Sequence, residues 1–166
     1  TIDISSHHEG AAGYLSNLTA NVFEVRGERC ESMEGFLQSL KYRDPDQARE
    51  IRQLWGGRAK NAGRLRAGWV SSQRLWWQGV PMDRTSTELS DLIDEAFDAL
   101  FDQCPAAAEA LLSTGDATLV HTIGNPDPTQ TVLTEAEFCD RLTAIRSRLA
   151  GATSSGAGAL PPTAAA

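Results

Sequence analysis

From Ser32 to Tyr42 the chain reads as one amphipathic helix, and its three faces restrict what can pack around it. At about 100° per residue, Met33, Phe36, Leu37 and Leu40 form an apolar stripe. Gly35 and Ser39 form a small-residue flank where another element can come close. Glu34, Gln38 and Lys41 form a polar stripe beside the apolar one. A carboxylate and an amine two turns apart at the edge of a core suit acid–base or imine chemistry on a sugar. A half-exposed structural ion pair fits the same spacing.

The rest of the chain is mostly helical in pattern. Asn21 to Glu28 alternates roughly and ends near Gly27, which predicts a short strand and turn. Asp44-Pro45-Asp46-Gln47 is a helix start, with Asp as N-cap and Pro at the first helical position. That helix is expected to end near Trp55, before Gly56-Gly57. A basic, Gly-punctuated segment follows, Arg58 to Arg64, and then Trp69 and a helical piece with Trp76 and Trp77. Thr85-Ser86-Thr87-Glu88 opens a helix whose stripe is Leu89, Leu92, Ile93, Ala96, Phe97, Leu100 and Phe101. Pro105 starts a short helix that stops before Gly115, and Thr118 to Ile123 reads as a strand. Thr134 caps a last helix carrying Phe138, Leu142, Ile145 and Leu149. Residues 151–166 hold only Gly, Ala, Ser, Thr, Pro and one Leu, a composition that predicts a disordered tail behind a domain of residues 1–150. The fold class expected is α+β, predominantly helical, a compact single domain with a few short strands. Gly-x-Gly-x-x-Gly and P-loop patterns are absent, and β-branched runs are too few for a parallel sheet.

Charge narrows the ligand. The net charge is −7, yet residues 26–74 carry eleven Lys/Arg against six Asp/Glu. From residue 75 onward the balance is four against thirteen. An acidic chain argues against tight nonspecific nucleic-acid binding, which needs many phosphate contacts. A basic middle segment suits one small polyanion such as a nucleotide diphosphate, while the acidic helices also serve solubility. No apolar run approaches membrane-spanning length, and Thr1 to Gly10 lacks a signal pattern. Cys30, Cys104 and Cys139 are scattered, so reduced, buried thiols and a cytoplasmic location are expected.

Other chemistry is thinner. His7-His8-Glu9 offers metal ligands, but adjacent His residues rarely chelate together, so no metal is expected. Trp55 and Trp69 flank the basic segment and are candidates for stacking a base. Arg58, Lys60 and Arg64 are candidates for gripping a diphosphate. His121 follows Gly115-Asp116, a good place for a site loop, although a lone His is often a structural hydrogen-bonder. No Ser-His-Asp or Cys-His constellation is evident.

Ser32-Met33-Glu34-Gly35-Phe36-Leu37-Gln38-Ser39-Leu40-Lys41-Tyr42 resembles the signature helix of the NADAR, or YbiA-like, family. Tyr14-Leu15-Ser16-Asn17-Leu18 resembles the family's aromatic-Ser-Asn-aromatic element. Ala59-Lys60-Asn61-Ala62-Gly63-Arg64 resembles its basic Gly segment, with Trp69 at the expected Trp. Leu111 to His121 resembles its late Leu-Leu-x-Thr and Leu-Val elements. The likeness covers about residues 8–149.

The resemblance implies a mainly helical α+β fold and cleavage of N-glycosidic bonds, with Glu34 and Lys41 catalytic. Together with the residue reading above, it makes Asn17, Gln38 (on a ribose hydroxyl), Trp55, Arg58, Lys60, Arg64, Trp69, Asp116 and His121 the expected substrate-binding residues, and no cofactor is expected. One branch is similar to enzymes that remove ADP-ribose from guanine, in DNA or in nucleotides. Another hydrolyses riboflavin-pathway intermediates and carries a Trp-Gly-Asp-like stretch where this chain has Gly124-Asn125-Pro126-Asp127-Pro128. That departure favours ADP-ribosyl-guanine as the substrate and ADP-ribose as the product, in DNA repair or opposite a guanine ADP-ribosyltransferase toxin. Cleavage of a free metabolite, or a module that binds NAD or ADP-ribose without turnover, are the alternatives.

Overall fold

Wherever a capping side chain precedes an apolar period, this chain is helical, and a computed structural model describing residues 1–157 shows where each helix begins. The order is β1 (Ile2–Asp3), α1 (Gly10–Tyr14), β2 (Phe23–Val25), β3 (Glu28–Cys30), α2 (Met33–Ser39), α3 (Pro45–Arg52) and α4 (Gly56–Arg64). Then come α5 (Trp69–Ser72), β4 (Arg74–Trp77), β5 (Val80–Asp83), α6 (Thr87–Gln103), α7 (Pro105–Ser113), β6 (Leu119–Val120) and α8 (Glu135–Ala157). The fold is α+β and predominantly helical. Ser32, Asp44 and Ser86 cap α2, α3 and α6 through their side-chain oxygens. At α8, Glu137 N–H donates to Thr134 Oγ1 at 3.1 Å and Thr134 N–H to Glu137 Oε1 at 3.4 Å, a reciprocal capping box.

The α6 stripe is buried along its whole length, and Phe138, Leu142 and Ile145 of α8 join the same core. Burial of each such side chain contributes about 1.5–3 kcal/mol. The apolar stripe of α2 enters this core from the other side, with Phe36 between Phe23 and Trp77. Of the three thiols, Cys30 and Cys139 are buried and Cys104 is half-buried; all are free.

Several boundaries differ from the sequence reading, each for a physical reason. The short strand and turn expected over residues 21–28 are present, and a second strand follows the turn to make a hairpin. β2 and β3 pair antiparallel around Arg26 (φ 49°) and Gly27 (φ 80°). Trp76 and Trp77 lie not in a helix but in β4, which pairs with β5 around Gln78 (φ 50°) and Gly79 (φ 78°). Two successive left-handed residues form the type I′ turn, whose twist matches that of the flanking strands. Strand β6 is shorter than Thr118 to Ile123 and pairs parallel with β1. Residues 56–64 form a helix, not a flexed loop, because Ala59, Ala62 and Gly63 make a buried small-residue face against α2. Helix α3 stops at Arg52, not near Trp55. Arg52 is 1 % exposed, bonds Glu28 at 3.0 Å and lies 5.1 Å from the Trp77 ring. Helix α8 runs past residue 150 to Ala157, since extending a formed helix needs no new nucleus. The remainder of the tail expected to be disordered, residues 158–166, lies outside the described residues.

Candidate active site

Helix α2 is fixed at its start by packing that only small residues allow. Ser32 Oγ accepts from Gly35 N–H at 2.9 Å and donates to Leu54 O at 2.8 Å. A Cβ on Gly35 would stand 2.6 Å from that same Leu54 oxygen, so only glycine lets the residue 51–54 backbone come this close. The Asn17 carbonyl accepts from Glu34 N–H at 2.9 Å, and the Leu18 carbonyl from Gly56 N–H at 2.8 Å. The 16–18 loop therefore ties the first turns of α2 and α4 together.

Glu34 opens into a cleft of about 190 Å³ lined also by Ser6, His7, Asn17, Lys60 and His121. Three parts of the chain far apart in sequence meet there. The parallel pairing of β1 with β6 brings residues 4–7 beside residues 121–123. His121 Nδ1 lies 2.6 Å from Ile4 O. A carbonyl only accepts, so Nδ1 carries a proton, and Nε2 makes no hydrogen bond among the described residues. The ring edge packs on Phe138 at 5.2 Å, and Glu135 Oε1 accepts from His121 N–H at 3.2 Å. Gly124 makes room for this imidazole: a Cβ there would lie 2.6 Å from His121 Cδ2.

Gln38 holds Glu34 from behind. Its Nε2 donates to Glu34 Oε1 at 2.8 Å, while its Oε1 is buried without a hydrogen-bond partner. The amide is thus turned toward the carboxylate. It lies over α4 only because residue 63 is glycine, where a Cβ would stand 1.8 Å from Gln38 Oε1. Gly63→Ala is expected to push the amide off α4 and take the donor away from Glu34. The displaced atoms are the end of a flexible side chain, so the fold should lose only about 1–2 kcal/mol. Turnover should fall about tenfold, and Gln38→Ala should match it, as melting curves and steady-state rates on both variants would check.

Lys41 lies beyond the end of α2. The helix closes at Ser39, and residues 40–42 continue with i→i+3 bonds, a tighter turn than the regular helix expected through Tyr42. Lys41 Nζ donates to Gly63 O at 3.4 Å and sits 5.9 Å from the buried Trp69 ring. Burial lowers the Lys41 pKa below the ordinary 10.5, with Glu34 acting in the opposite direction. Lys41 does not line the cleft.

The other candidate residues divide by position. Lys60 lines the cleft, and Arg64 follows one turn later on α4. Arg58 and the exposed Trp55 line a neighbouring hollow with Gly56 and Gly57. Trp69 is only 4 % exposed and belongs to the core, which leaves it no free face for a base. Asp116 is exposed in the turn after α7, outside the cleft lining. His7 enters the lining as a neighbour of His121, and among the described residues no three His, Cys, Asp or Glu side chains gather around a common point. No local pattern marks Ser6 or Ile123 as site residues, and His7-His8-Glu9 pointed only to a metal, because two-residue strands bring these side chains to the cleft.

Residues 10–147 match the family described as bacteriophage protein GP30.3. The chain is 33% identical over 149 residues to the 17.1 kDa protein of the Gp30–rIII intergenic region of Enterobacteria phage T4, covering 89% of this chain and 98% of that one. Its fold is similar to the NMR structure of the E. coli protein YbiA, with a TM-score of 0.60 at 19% identity over 92% of this chain and 89% of the other.

Proposed function

The chain belongs to the bacteriophage protein GP30.3 family, a NADAR-type family, and from that premise we propose that it hydrolyses the N-glycosidic bond between ADP-ribose and guanine. N-glycosidase activity is associated with the NADAR and YbiA-like proteins. The observation that carries the proposal is Glu34, a carboxylate clamped by Gln38 at the wall of a cleft also lined by Lys60 and His121. In the reaction the C1′–N bond breaks, the departing guanine nitrogen takes a proton, and water or an amine bonds the anomeric carbon. Glu34 supplies and recovers the proton. Lys60, with Arg64 one turn behind, grips the diphosphate, and Asn17 and His121 orient the ribose and base. No helix among the described residues is long and apolar enough to cross a membrane. The substrate is made by a guanine ADP-ribosyltransferase, whether a cognate toxin or another enzyme.

Lys41 has two routes. In the first, its amine leaves Gly63, reaches C1′ and forms an imine with the opened ribose, which water then cleaves to free ADP-ribose and lysine. In the second, water attacks directly and Lys41, held on Gly63 O, supplies only positive charge.

The test is a substrate panel of ADP-ribosylated guanine oligonucleotide, ADP-ribosylated GMP, NAD and a riboflavin-pathway N-glycoside, scored by released ADP-ribose or base. Release from the guanine conjugates alone is expected. Release only from the flavin precursor, or binding without release, would overturn the proposal. Lys60→Ala and Arg64→Ala should each raise KM by about tenfold and change kcat little, because remote phosphate binding is largely uniform between ground and transition states. Unchanged KM in both would remove the diphosphate from α4.

A further inference from the structure

Beside the Glu34 cleft lies a hollow of about 470 Å³, lined by Gln53, Leu54, Trp55, Gly56, Gly57 and Arg58. Trp55 is 58 % exposed, although a tryptophan normally buries most of its large surface. Leu18 stands at the divide: it lines the cleft, and its carbonyl binds Gly56 on the hollow's side. Lys60 belongs to the cleft and Arg58 to the hollow, two residues apart on α4.

Charge decides the occupant. Residues 51–82 contain six Lys/Arg and no Asp or Glu, within a chain of net charge −7. Among the described residues, Arg58, Lys60 and Arg64 make no ion pair, whereas Arg52, Arg84, Arg141 and Arg148 all do. An exposed indole over a glycine floor, with unpaired cations alongside, suits a base and its phosphate without reading sequence.

We propose that the Trp55 hollow is a base subsite for single-stranded nucleic acid. It stacks the base next to the nucleotide processed at Glu34, and Arg58 holds the phosphate between them. The inference rests on the hydrolase reading only for what happens at Glu34, not for binding at Trp55. It makes a strand, rather than a free nucleotide, the preferred substrate. The few cations keep binding modest, in line with the acidic whole.

The first test uses an unmodified, fluorescently labelled oligothymidylate of about ten nucleotides. Trp55→Ala should weaken its binding about tenfold. Arg58→Ala should weaken it and flatten the salt dependence by about 0.7 in log–log slope, one phosphate's share. Unchanged affinity in Trp55→Ala overturns the proposal. So does self-association of the wild type that Trp55→Ala abolishes without affecting the oligonucleotide, since the surface would then be a protein contact. The second test compares KM for an ADP-ribosylated guanine in a single strand with KM for ADP-ribosylated GMP. Trp55→Ala should raise the ratio about tenfold. An equal rise for both substrates would put the substrate's own adenine on Trp55 and overturn the strand reading. If no substrate is cleaved but oligothymidylate binding still depends on Trp55, the hydrolase reading fails and the subsite stands.

Discussion

Glu34→Gln is expected to lower kcat on ADP-ribosylated guanine by about 10²–10⁴-fold, the range spanned by a positioned acid–base group. The replacement keeps the shape and the hydrogen bond from Gln38, since an amide oxygen also accepts. It removes the group that exchanges a proton with the departing base. Glu34 is only half-buried, so its melting temperature should stay within a few degrees of the wild type. Retention of kcat within tenfold would move the proton chemistry elsewhere, with His121 first in line because its Nε2 makes no hydrogen bond among the described residues. The Gly63→Ala and Gln38→Ala effects should vanish in the Glu34→Gln background, because all three act through one carboxylate.

The second large effect is at Lys41. Lys41→Arg and Lys41→Met are both expected to lose about 10²-fold or more in kcat, with borohydride during wild-type turnover adding ADP-ribose mass to Lys41. An arginine keeps the charge but stays protonated, so it cannot form the imine. If Lys41→Arg turns over nearly normally and no adduct forms, Glu34 activates water directly and Lys41 only contributes charge. The pH profile separates the same routes. If the neutral amine attacks, log kcat rises with pH and levels at a pKa below the ordinary 10.5, because burial disfavours the ammonium. Lys41→Met would lack that limb.

The stability of Lys41→Met should move the opposite way from its activity. The folded pKa of Lys41 is lowered, so between it and 10.5 the unfolded chain binds more protons than the native one. Stability from this group therefore rises with pH across that window, and the cost of keeping the ammonium folded is largest below it. Lys41→Met removes that cost. Its melting temperature near neutral pH should equal or exceed that of the wild type, and the difference should shrink as pH climbs toward 10.5. A lower melting temperature at neutral pH would mean that the Gly63 and Trp69 contacts outweigh desolvation.

Much of the helical frame is local physics and needed only the sequence. The stripes of residues 33–40 and 89–101, the caps at Ser32, Asp44, Ser86 and Thr134, and the core role of Phe138 and Leu142 follow from a helical period and a capping oxygen. The polar row Glu34, Gln38 and Lys41 was legible for the same reason, since residues three and four apart share a face. Which way those side chains turn was not legible. Gln38 faces Glu34 because Gly63, 25 positions later, leaves space for it. Lys41 is desolvated because Trp69 and α4 cover it. Residues 56–64 look flexible by composition, yet they are helical because their small face packs on α2. Two-residue strands carry too short a period to be seen, so only tertiary pairing of β1 with β6 sets His7 and His121 at the cleft and leaves Asp116 outside it. The sequence alone determined which residues could carry chemistry and on which helix face. Tertiary packing alone decided which of them are dry, which are free, and which share one cleft.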